Sequence, residues 1–262
     1  MTSVAFLAPV MMPATTYALR VTCNAVTETL TFTSPQGYGW MSGDGQASST
    51  PADYGNVADA LELLETCLET HSEIGVATVS LVNHRVQITH DSLGTLNLLW
   101  ADGATTLDGR WFGWTTANTG ATSGTMTAPN QPQGWWLPGR PVSEPDSRVR
   151  AVTLGGYTEA LSGRMRVSHF GSSRKVRTMT FRLLPRALAL AEYAASSAPY
   201  GTFEHLWSSL SRGRPVRFYA SSTTLTSSDY TLYHTRSLSD PLDRDPSTIL
   251  RWAATLELGT YT

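Results

Sequence analysis

The stretch that decides the fold reads FEHLWSSL at 203–210 and, after a short turn, RPVRFYA at 214–220. In the first part apolar side chains recur at helical spacing, and Gly213 stands where a helix commonly stops. In the second part apolar and polar residues alternate from Val216 to Ala220, as in a strand with one face on a core. The stretch therefore predicts a short amphipathic helix docked on a sheet.

The alternation continues to the C-terminal end. Tyr230, Leu232 and His234 alternate with polar residues, and Leu250 to Leu258 is the longest alternating run in the chain. Both runs predict further strands, and the last is expected to be held firmly in a sheet.

The first half predicts a small antiparallel sheet with one helix packed on it. The alternating runs and turn residues favour six strands. A cap at Thr50-Pro51 favours a helix. The predicted elements are strands at Tyr17–Cys23 and Leu30–Phe32, a helix at Ala52–Thr70, a hairpin of Val76–Leu81 with Arg85–His90 across Asn83-His84, a strand at Leu96–Trp100, and a closing strand at Trp111–Trp114.

Acidic residues lie along the outer side of the predicted helix. Glu62, Glu65 and Glu69 are expected to face solvent, opposite the leucines that line the apolar side. They are also candidates for contact with a neighbouring subunit.

A long stretch without periodicity, Thr115 to Asp146, separates the two halves. Its prolines and low charge predict a connecting segment. We place the domain boundary at its end, giving an N-terminal α+β module at 1–140 and a C-terminal β-rich domain at 141–262. Trp135 and Trp136 stand within this stretch. The hypothesis is that the stretch is ordered only in an assembly, with one of the two tryptophans buried against another chain.

The second half opens with a strand at Val149–Leu154. A hairpin of Gly163–Phe170 with Lys175–Leu184 is predicted across Gly171-Ser172-Ser173, followed by an alanine-rich helix at Arg186–Ser196. The predicted fold class is therefore mainly β with some α (α+β), built of antiparallel sheets.

The charge of the chain is near balance overall but divided between the halves. The formal net charge of the 262 residues is −2. Up to residue 140 the balance is about −7, and beyond it about +5. Arg164, Arg166 and Arg177 lie on or beside the predicted hairpin. Three interpretations stay open: contact between unlike halves of neighbouring subunits, a solvated surface, or contact with nucleic acid or another protein inside a channel.

No motif of known chemistry is present. The sequence has no GxSxG, HExxH, P-loop or GxGxxG pattern, and its histidines are scattered. Cys23 and Cys67 are too few for a disulfide framework and are expected to be buried thiols. The apolar run Val4–Met12 is too short to cross a bilayer. We expect no enzyme activity, no metal or other cofactor, and no membrane partner.

Taken together, the helix ending in Leu206-Trp207, the segment Gly213–Tyr219, a Tyr-Thr-Leu strand and the final Arg251-Trp252 strand resemble structural proteins of long-tailed bacteriophages. The distal tail and tail-tip ring proteins are the most similar of these. The resemblance implies a β-rich homo-oligomeric ring, hexameric in that family, that contacts other tail proteins in the virion and carries no catalytic residue. In that family the ring-forming β-domain comes first, whereas here a mixed α+β module precedes it.

Two other classes of function are compatible with the sequence. One is a capsid decoration or head-to-tail joining protein. The other is a carbohydrate-binding or receptor-binding module, in which Trp135 and Trp136 would stack on a sugar ring.

Overall fold

The computed structural model describes residues 5–13, 15–34, 38–41, 59–91, 94–138, 147–152, 155–159, 165–169, 174–190, 201–212, 214, 216–220, 230–236, 242–244 and 251–260. Within these ranges the chain is mostly antiparallel β-sheet with three short α-helices. The predicted fold class is confirmed.

The first half contains eleven strands and one α-helix in its described part. They are β1 (Ala5–Leu7), β2 (Val10–Met11), β3 (Thr16–Cys23), β4 (Val26–Thr33), β5 (Tyr38–Gly39), α1 (Ala60–Leu68), β6 (Ala77–Val82), β7 (Arg85–His90), β8 (Thr95–Leu98), β9 (Thr122–Ser123), β10 (Thr125–Thr127) and β11 (Trp135–Trp136). A 3-10 helix, Gly109–Phe112, precedes β9.

The second half contributes eight strands and two helices among the described residues. They are β12 (Ser147–Val152), β13 (Gly155–Glu159), β14 (Met165–His169), β15 (Arg174–Pro185), α2 (Arg186–Ala189), α3 (Phe203–Leu210), β16 (Val216–Tyr219), β17 (Tyr230–Thr235), β18 (Leu242–Arg244) and β19 (Arg251–Thr260).

The N-terminal module is built on two small antiparallel sheets. One has the strand order β4-β3-β8-β9 and the other β10-β7-β6. Most of these strands alternate buried and more exposed residues, as in β4, where Leu30 and Phe32 are buried between exposed threonines. The leucines of α1 pack against the buried faces, which gives the module its own hydrophobic core.

Two tight hairpins of this module have left-handed turn residues without glycine. Asn24 and Ala25 join β3 to β4, and Asn83 and His84 join β6 to β7, all with positive φ angles. Positive φ at both central positions is the geometry of a type I′ turn, which matches the twist of the strands. The predicted Asn83-His84 turn is confirmed.

Replacing Ala25 with glycine is expected to stabilise the protein by about 0.5–1 kcal/mol, because an L-residue with a side chain is strained in this conformation. Ala25 has φ 65 and is exposed, so no packing is lost. Thermal unfolding measures the gain. His84→Gly is the comparison: it relieves the same strain but removes a ring that packs on Trp135, so its gain should be smaller.

The largest sheet joins both halves of the chain. Its strand order is β11-β1-β16-β17-β19-β15-β12, with β18 paired to β19. Because β1 and β11 come from the first 140 residues, the sheet of the C-terminal half is completed by strands of the N-terminal half. The predicted boundary itself, at 140/141, lies outside the described residues.

Residues at the β11-β1-β16 end of this sheet alternate between two cores. Leu7 and Trp135 belong to the core of the N-terminal module, whereas Phe6 and Trp136 belong to a second core formed mainly by the C-terminal half. Successive side chains of a strand point to opposite faces. This end of the sheet is therefore buried on both faces, which explains why all four residues of β16 are buried.

Three predicted helical or strand boundaries need correction. The helix predicted from Ala52 begins at Ala60, because Asp59 is extended and its carboxylate accepts a hydrogen bond from the Leu61 amide. The predicted cap at Thr50-Pro51 lies outside the described residues. The predicted closing strand Trp111–Trp114 overlaps the 3-10 helix. The helix predicted over Arg186–Ser196 ends at Ala189, since Leu190 is already extended.

The predicted hairpin across 171–173 is wrong. β14 pairs with β13, and β15 pairs with β12 and β19, so β14 and β15 do not pair with each other. The chain from 147 to 159 instead runs antiparallel to the chain from 165 to 179. We call this pairing, β12–β13 against β14 and the first part of β15, the ribbon; on its inner part β15 also pairs with β19.

Candidate functional site

The two adjacent tryptophans are divided between the two hydrophobic cores. β11 pairs with β1, placing Trp135 opposite Leu7 and Trp136 opposite Phe6, and each indole is only 1% exposed. The Trp135 Nε1 donates a hydrogen bond to the Met41 carbonyl at 2.8 Å, and the Trp136 Nε1 donates to the Leu188 carbonyl at 3.1 Å. Both polar atoms are therefore satisfied within the chain, as buried indoles require.

Trp136 is part of an aromatic cluster in the second core. Its ring centroid lies 5.4 Å from that of Phe6, 4.9 Å from Phe181 and 5.2 Å from Phe203. The edge-to-face contacts with Phe181 and Phe203 are of the kind that adds about 0.5–1.5 kcal/mol per pair beyond burial. This cluster ties α3 and β15 to the strand that carries the tryptophans.

Trp135 makes the matching contacts on the other face. Its ring lies 5.3 Å from Tyr219 and 5.8 Å from His84, the turn residue of the β6–β7 hairpin. The pair thus connects the two cores through one dipeptide.

This arrangement corrects the sequence-based hypothesis for the pair. One of the two was expected to be buried against another chain, or the pair to stack on a sugar, and both are instead buried against their own chain. In the same stretch, β9 and β10 pair with strands of the two small sheets. Neither an inter-subunit contact nor a glycan platform is open to these two side chains.

A buried arginine that the sequence did not single out lies beside the tryptophans. Arg217 is 0% exposed, and its guanidinium lies 4.5 Å from the Trp40 ring centroid and 4.4 Å from that of Tyr230. Stacking between two aromatic rings is favourable for a guanidinium, which is weakly hydrated and planar. The alternation from Val216 to Ala220 predicted a strand with only one face on a core, and the structure corrects this prediction, because Arg217 and Tyr219 are buried as well.

The ribbon differs from the rest of the sheet in its pairing. Its inner part, β12–β15, runs from Ser147 opposite Met179 to Val152 opposite Arg174. Its outer part, β13–β14, forms a separate two-stranded sheet that pairs with no other strand in the described ranges. β12 likewise has β15 as its sole described neighbour, so one of its edges is unpaired there.

The three predicted arginines differ in where the structure places them. Arg166 lies in the outer part of the ribbon, opposite Thr158, whereas Arg164 is outside the described residues. Arg177 lies in β15, with its guanidinium 4.6 Å from the Phe218 ring centroid, and is half-buried. Arg177 thus packs within its own chain, which leaves Arg166 as the arginine on the outer ribbon.

The three glutamates of α1 differ in their contacts with the neighbouring sheet. Glu65 accepts a hydrogen bond from the Val79 amide at 2.8 Å, and Glu69 accepts one from the Ala77 amide at 3.2 Å. β6 is an edge strand of its sheet in the described ranges. These carboxylates therefore accept hydrogen bonds from backbone amides that could otherwise pair with another strand. Glu69 is exposed and Glu65 is half-buried, so both lie on the solvent side of α1 as expected, and each also binds the edge of the sheet. Glu62 makes no such contact with the sheet edge among the described hydrogen bonds.

Replacing Glu65 with leucine is expected to lower the free energy of unfolding by about 1–2 kcal/mol, because the Val79 amide loses its acceptor. Glu62→Leu removes the same charge from the same helix without touching the sheet edge, and its effect should be small. Denaturant unfolding of both variants measures the difference. Equal losses would show that the bond from Glu65 to the strand contributes nothing.

The described residues contain no group of three or more metal-ligating side chains. Both cysteines are buried free thiols, as predicted, and burial raises the pKa of Cys67 to about 12. In the same residues, no helix is long and apolar enough to cross a membrane.

Comparison of the chain with protein-family models and with curated proteins found no match. The arrangement of the ribbon and of the two joined cores is therefore the basis for the function proposed below.

Proposed function

We propose that the chain is a structural subunit of a bacteriophage virion, a tail or tail-tip ring protein that acts by contact with copies of itself and with other tail proteins. The subunit is made in the host cytoplasm and takes its place in the virion tail. Its proposed role is the assembly of the tail, with no catalysed reaction and no cofactor.

The observation that carries this proposal is the ribbon. A two-stranded antiparallel sheet standing alone is only marginally stable in water. The outer part, β13–β14, has no further strand beside it in the described ranges, and β12 offers an unpaired edge. Pairing or packing against a neighbouring subunit would stabilise both. A ring in which each ribbon contacts the next copy supplies such a neighbour.

The charge of the ribbon supports an acidic partner surface. Residues 147–179 contain seven lysines and arginines and one glutamate, whereas residues 52–73 contain six acidic residues and no lysine or arginine. Contact between unlike surfaces of successive copies is a heterologous contact, and it closes into a ring when the rotation fits. Because Glu65 and Glu69 bind the edge of β6, Glu62 is the α1 glutamate best suited to meet Arg164 or Arg166 of the next copy.

A capsid decoration or head-to-tail joining protein would use the same contacts, so the number and arrangement of copies separates the two functions. A ring coaxial with a tail supports the tail protein, whereas many copies spread over an icosahedral shell support decoration. The receptor-binding alternative loses its candidate platform, since Trp135 and Trp136 are buried.

Reversal of charge at Arg166, in the outer ribbon, and at Arg164, two residues earlier in the sequence, tests the proposed contact. Arg164→Glu with Arg166→Glu is expected to weaken assembly by about fivefold per subunit contact at low salt, the upper effect of an exposed ion pair. Added salt should narrow the difference, because exposed charges are screened. Sedimentation velocity measures assembly as multiples of the 28.4 kDa chain. Arg177 is left unchanged because it packs on Phe218.

The matched control reverses two exposed arginines elsewhere, Arg85 and Arg212, and should assemble as the unmodified chain does. Adding Glu62→Arg to the ribbon variant should restore assembly if α1 of the next copy is the partner. Assembly of the ribbon variant that matches the control at every salt concentration would rule out an electrostatic role for the ribbon.

A further inference from the structure

β4 forms an open edge of the N-terminal module. Among the described residues its one strand neighbour is β3, and the pairing runs without interruption from Thr16 opposite Thr33 to Cys23 opposite Val26. The strand is eight residues long and contains neither proline nor lysine, which commonly protect a sheet edge. A long and regular edge of this kind can accept a further strand.

The hydrogen bonds of β3 show which backbone groups of β4 point away from the sheet. Arg20 uses both its amide and its carbonyl on the side of β3 remote from β4, where the amide donates to the Thr105 hydroxyl and the carbonyl accepts from the Leu99 amide. Antiparallel partners alternate between pairs that bond each other and pairs that do not. Thr29, the partner of Arg20, therefore directs its own N–H and C=O to the free edge, where no hydrogen bond in the described ranges occupies them.

The edge strand β6 of the other small sheet is treated differently. Its Ala77 and Val79 amides donate to the carboxylates of Glu69 and Glu65, so side chains of the same chain already cover that edge. No described side chain covers the Thr29 backbone in this way. Of these two edges, β4 is therefore the one that is free to pair with a strand from outside the subunit.

The charge around β4 complements that of the outer ribbon. Residues 21–84, which include β4 and α1, contain eight acidic residues and no lysine or arginine, whereas residues 160–179 contain five lysines and arginines and no acidic residue. Glu28 of β4 is ionised at pH 7, because hydrogen bonds from the side chain and the amide of Ser72 lower its pKa. The chemistry of the β4 edge thus favours a basic strand.

β14 is the strand of the outer ribbon that fits this description. It reads MRVSH and lies within the basic stretch, and its one described strand neighbour is β13. β13 reads GGYTE, which begins with two residues of low strand propensity and ends in an acidic one. Charge and composition therefore favour β14 over β13 as the strand that meets β4.

We propose that the open edge of β4 pairs with β14 of the next copy of the chain, which rests on the ring proposed above because it names the surface that the ribbon contacts. The pairing extends the small sheet to six strands in the order β13-β14-β4-β3-β8-β9, the first two from the neighbouring copy. It also gives the two-stranded outer ribbon the larger sheet that such an element requires for stability.

Thr29→Pro tests the pairing, because it removes the N–H that faces the edge without removing a hydrogen bond of the subunit itself. Proline is tolerated on an edge strand where the N–H faces solvent, so the subunit should stay folded. The dissociation constant of the contact between copies is expected to rise at least about tenfold, which corresponds to the loss of one net hydrogen bond. Sedimentation velocity measures this change.

Thr29→Val is the matched control, since it keeps the N–H and a β-branched side chain at the same exposed position, and it should assemble as the unmodified chain does. Rings of the proline variant that are as stable as those of the valine variant would overturn the pairing and leave the proposed ring intact. An unmodified chain that stays single at every concentration would overturn both.

Disulfide trapping identifies the partner strand, and it decides the question even if the proline variant does not fold. A chain carrying Thr29→Cys is mixed with chains in which each residue from 165 to 169 is replaced in turn by cysteine. Mild oxidation should link two different chains at one or two of these positions, because a disulfide forms only where the Cα atoms lie within about 7 Å. The native Cys23 and Cys67 are buried and should not compete.

Thr125→Cys, at an exposed position of β10, is the control for trapping and should give no linked chains. Linkage of the Thr29→Cys chain to itself would show that β4 meets β4 of another copy. Linkage at Thr125 as strong as at Thr29 would show that the contact is not specific. Either of these results, or no linkage at any of the five positions of β14, would overturn the pairing.

Discussion

Replacing Trp135 or Trp136 with alanine is expected to lower the free energy of unfolding by about 3–5 kcal/mol in each case, the usual cost of deleting a buried tryptophan. Each variant loses a hydrogen bond to a backbone carbonyl and the aromatic contacts of one core. A domain is commonly stable by about 5–15 kcal/mol, so either change removes a large share of the total.

Equilibrium unfolding in denaturant measures both losses. Trp207→Ala serves as the control, because this indole is half-buried at the margin of the second core and should cost less. Hydrogen exchange on the isolated chain is an independent test. The backbone amides of β1 and β11 should be protected from exchange in the absence of any partner chain. Unprotected amides, with near-normal stability of the alanine variants, would instead place the pair at a contact between subunits.

Excision of the outer ribbon is expected to abolish assembly while leaving the subunit folded. Residues 153–173 are replaced by Asn-Gly, which favours the tight turn needed to join Val152 to Arg174, its partner across the ribbon. The removed residues include β13 and β14, which make no described strand pair with the rest of the chain. The loss should therefore fall on contacts between copies.

Two measurements separate assembly from folding in this variant. Sedimentation should show a single chain for the variant and the proposed ring for the unmodified protein, and thermal unfolding should give a melting temperature close to that of the unmodified subunit. Rings that persist after the excision would show that the outer ribbon is not needed for assembly. A subunit that unfolds after the excision would show that the ribbon supports its own chain.

Strands could be predicted wherever alternation was strong. Tyr17–Cys23, the β6–β7 hairpin and the last strand all have apolar residues on one face and polar residues on the other, and all were found at their predicted places. The pattern is local, so it could be read from neighbouring residues. The helix at Phe203–Leu210 was confirmed for the same reason.

Pairing between distant strands could not be predicted in this way. The run from Met165 to Leu184 alternates well, yet nothing in it shows whether it folds back on itself or pairs with residues 147–159. A turn at Gly171-Ser172-Ser173 was the local choice, and pairing to β12 and β13 was the actual one. Register in a sheet depends on partners that are far apart in sequence.

The candidate site was least predictable where elements were shortest. β11 has two residues, too few to show any period, so Trp135 and Trp136 were assigned to a connecting segment. Adjacent side chains of an extended chain point to opposite sides, which here places the two indoles in two different cores. The hydrogen bonds from Glu65 and Glu69 to β6 could not be predicted either, because the helical spacing of these residues is the same whether they bind a strand edge or only water.

Electron microscopy of the purified full-length assembly, at a resolution that traces strands, tests the proposed role of the ribbon most directly. The account predicts a closed ring of identical subunits in which residues 155–169 of each copy contact the next copy. A solution of single 28.4 kDa chains at all concentrations, or a ring in which this ribbon faces solvent, would contradict it.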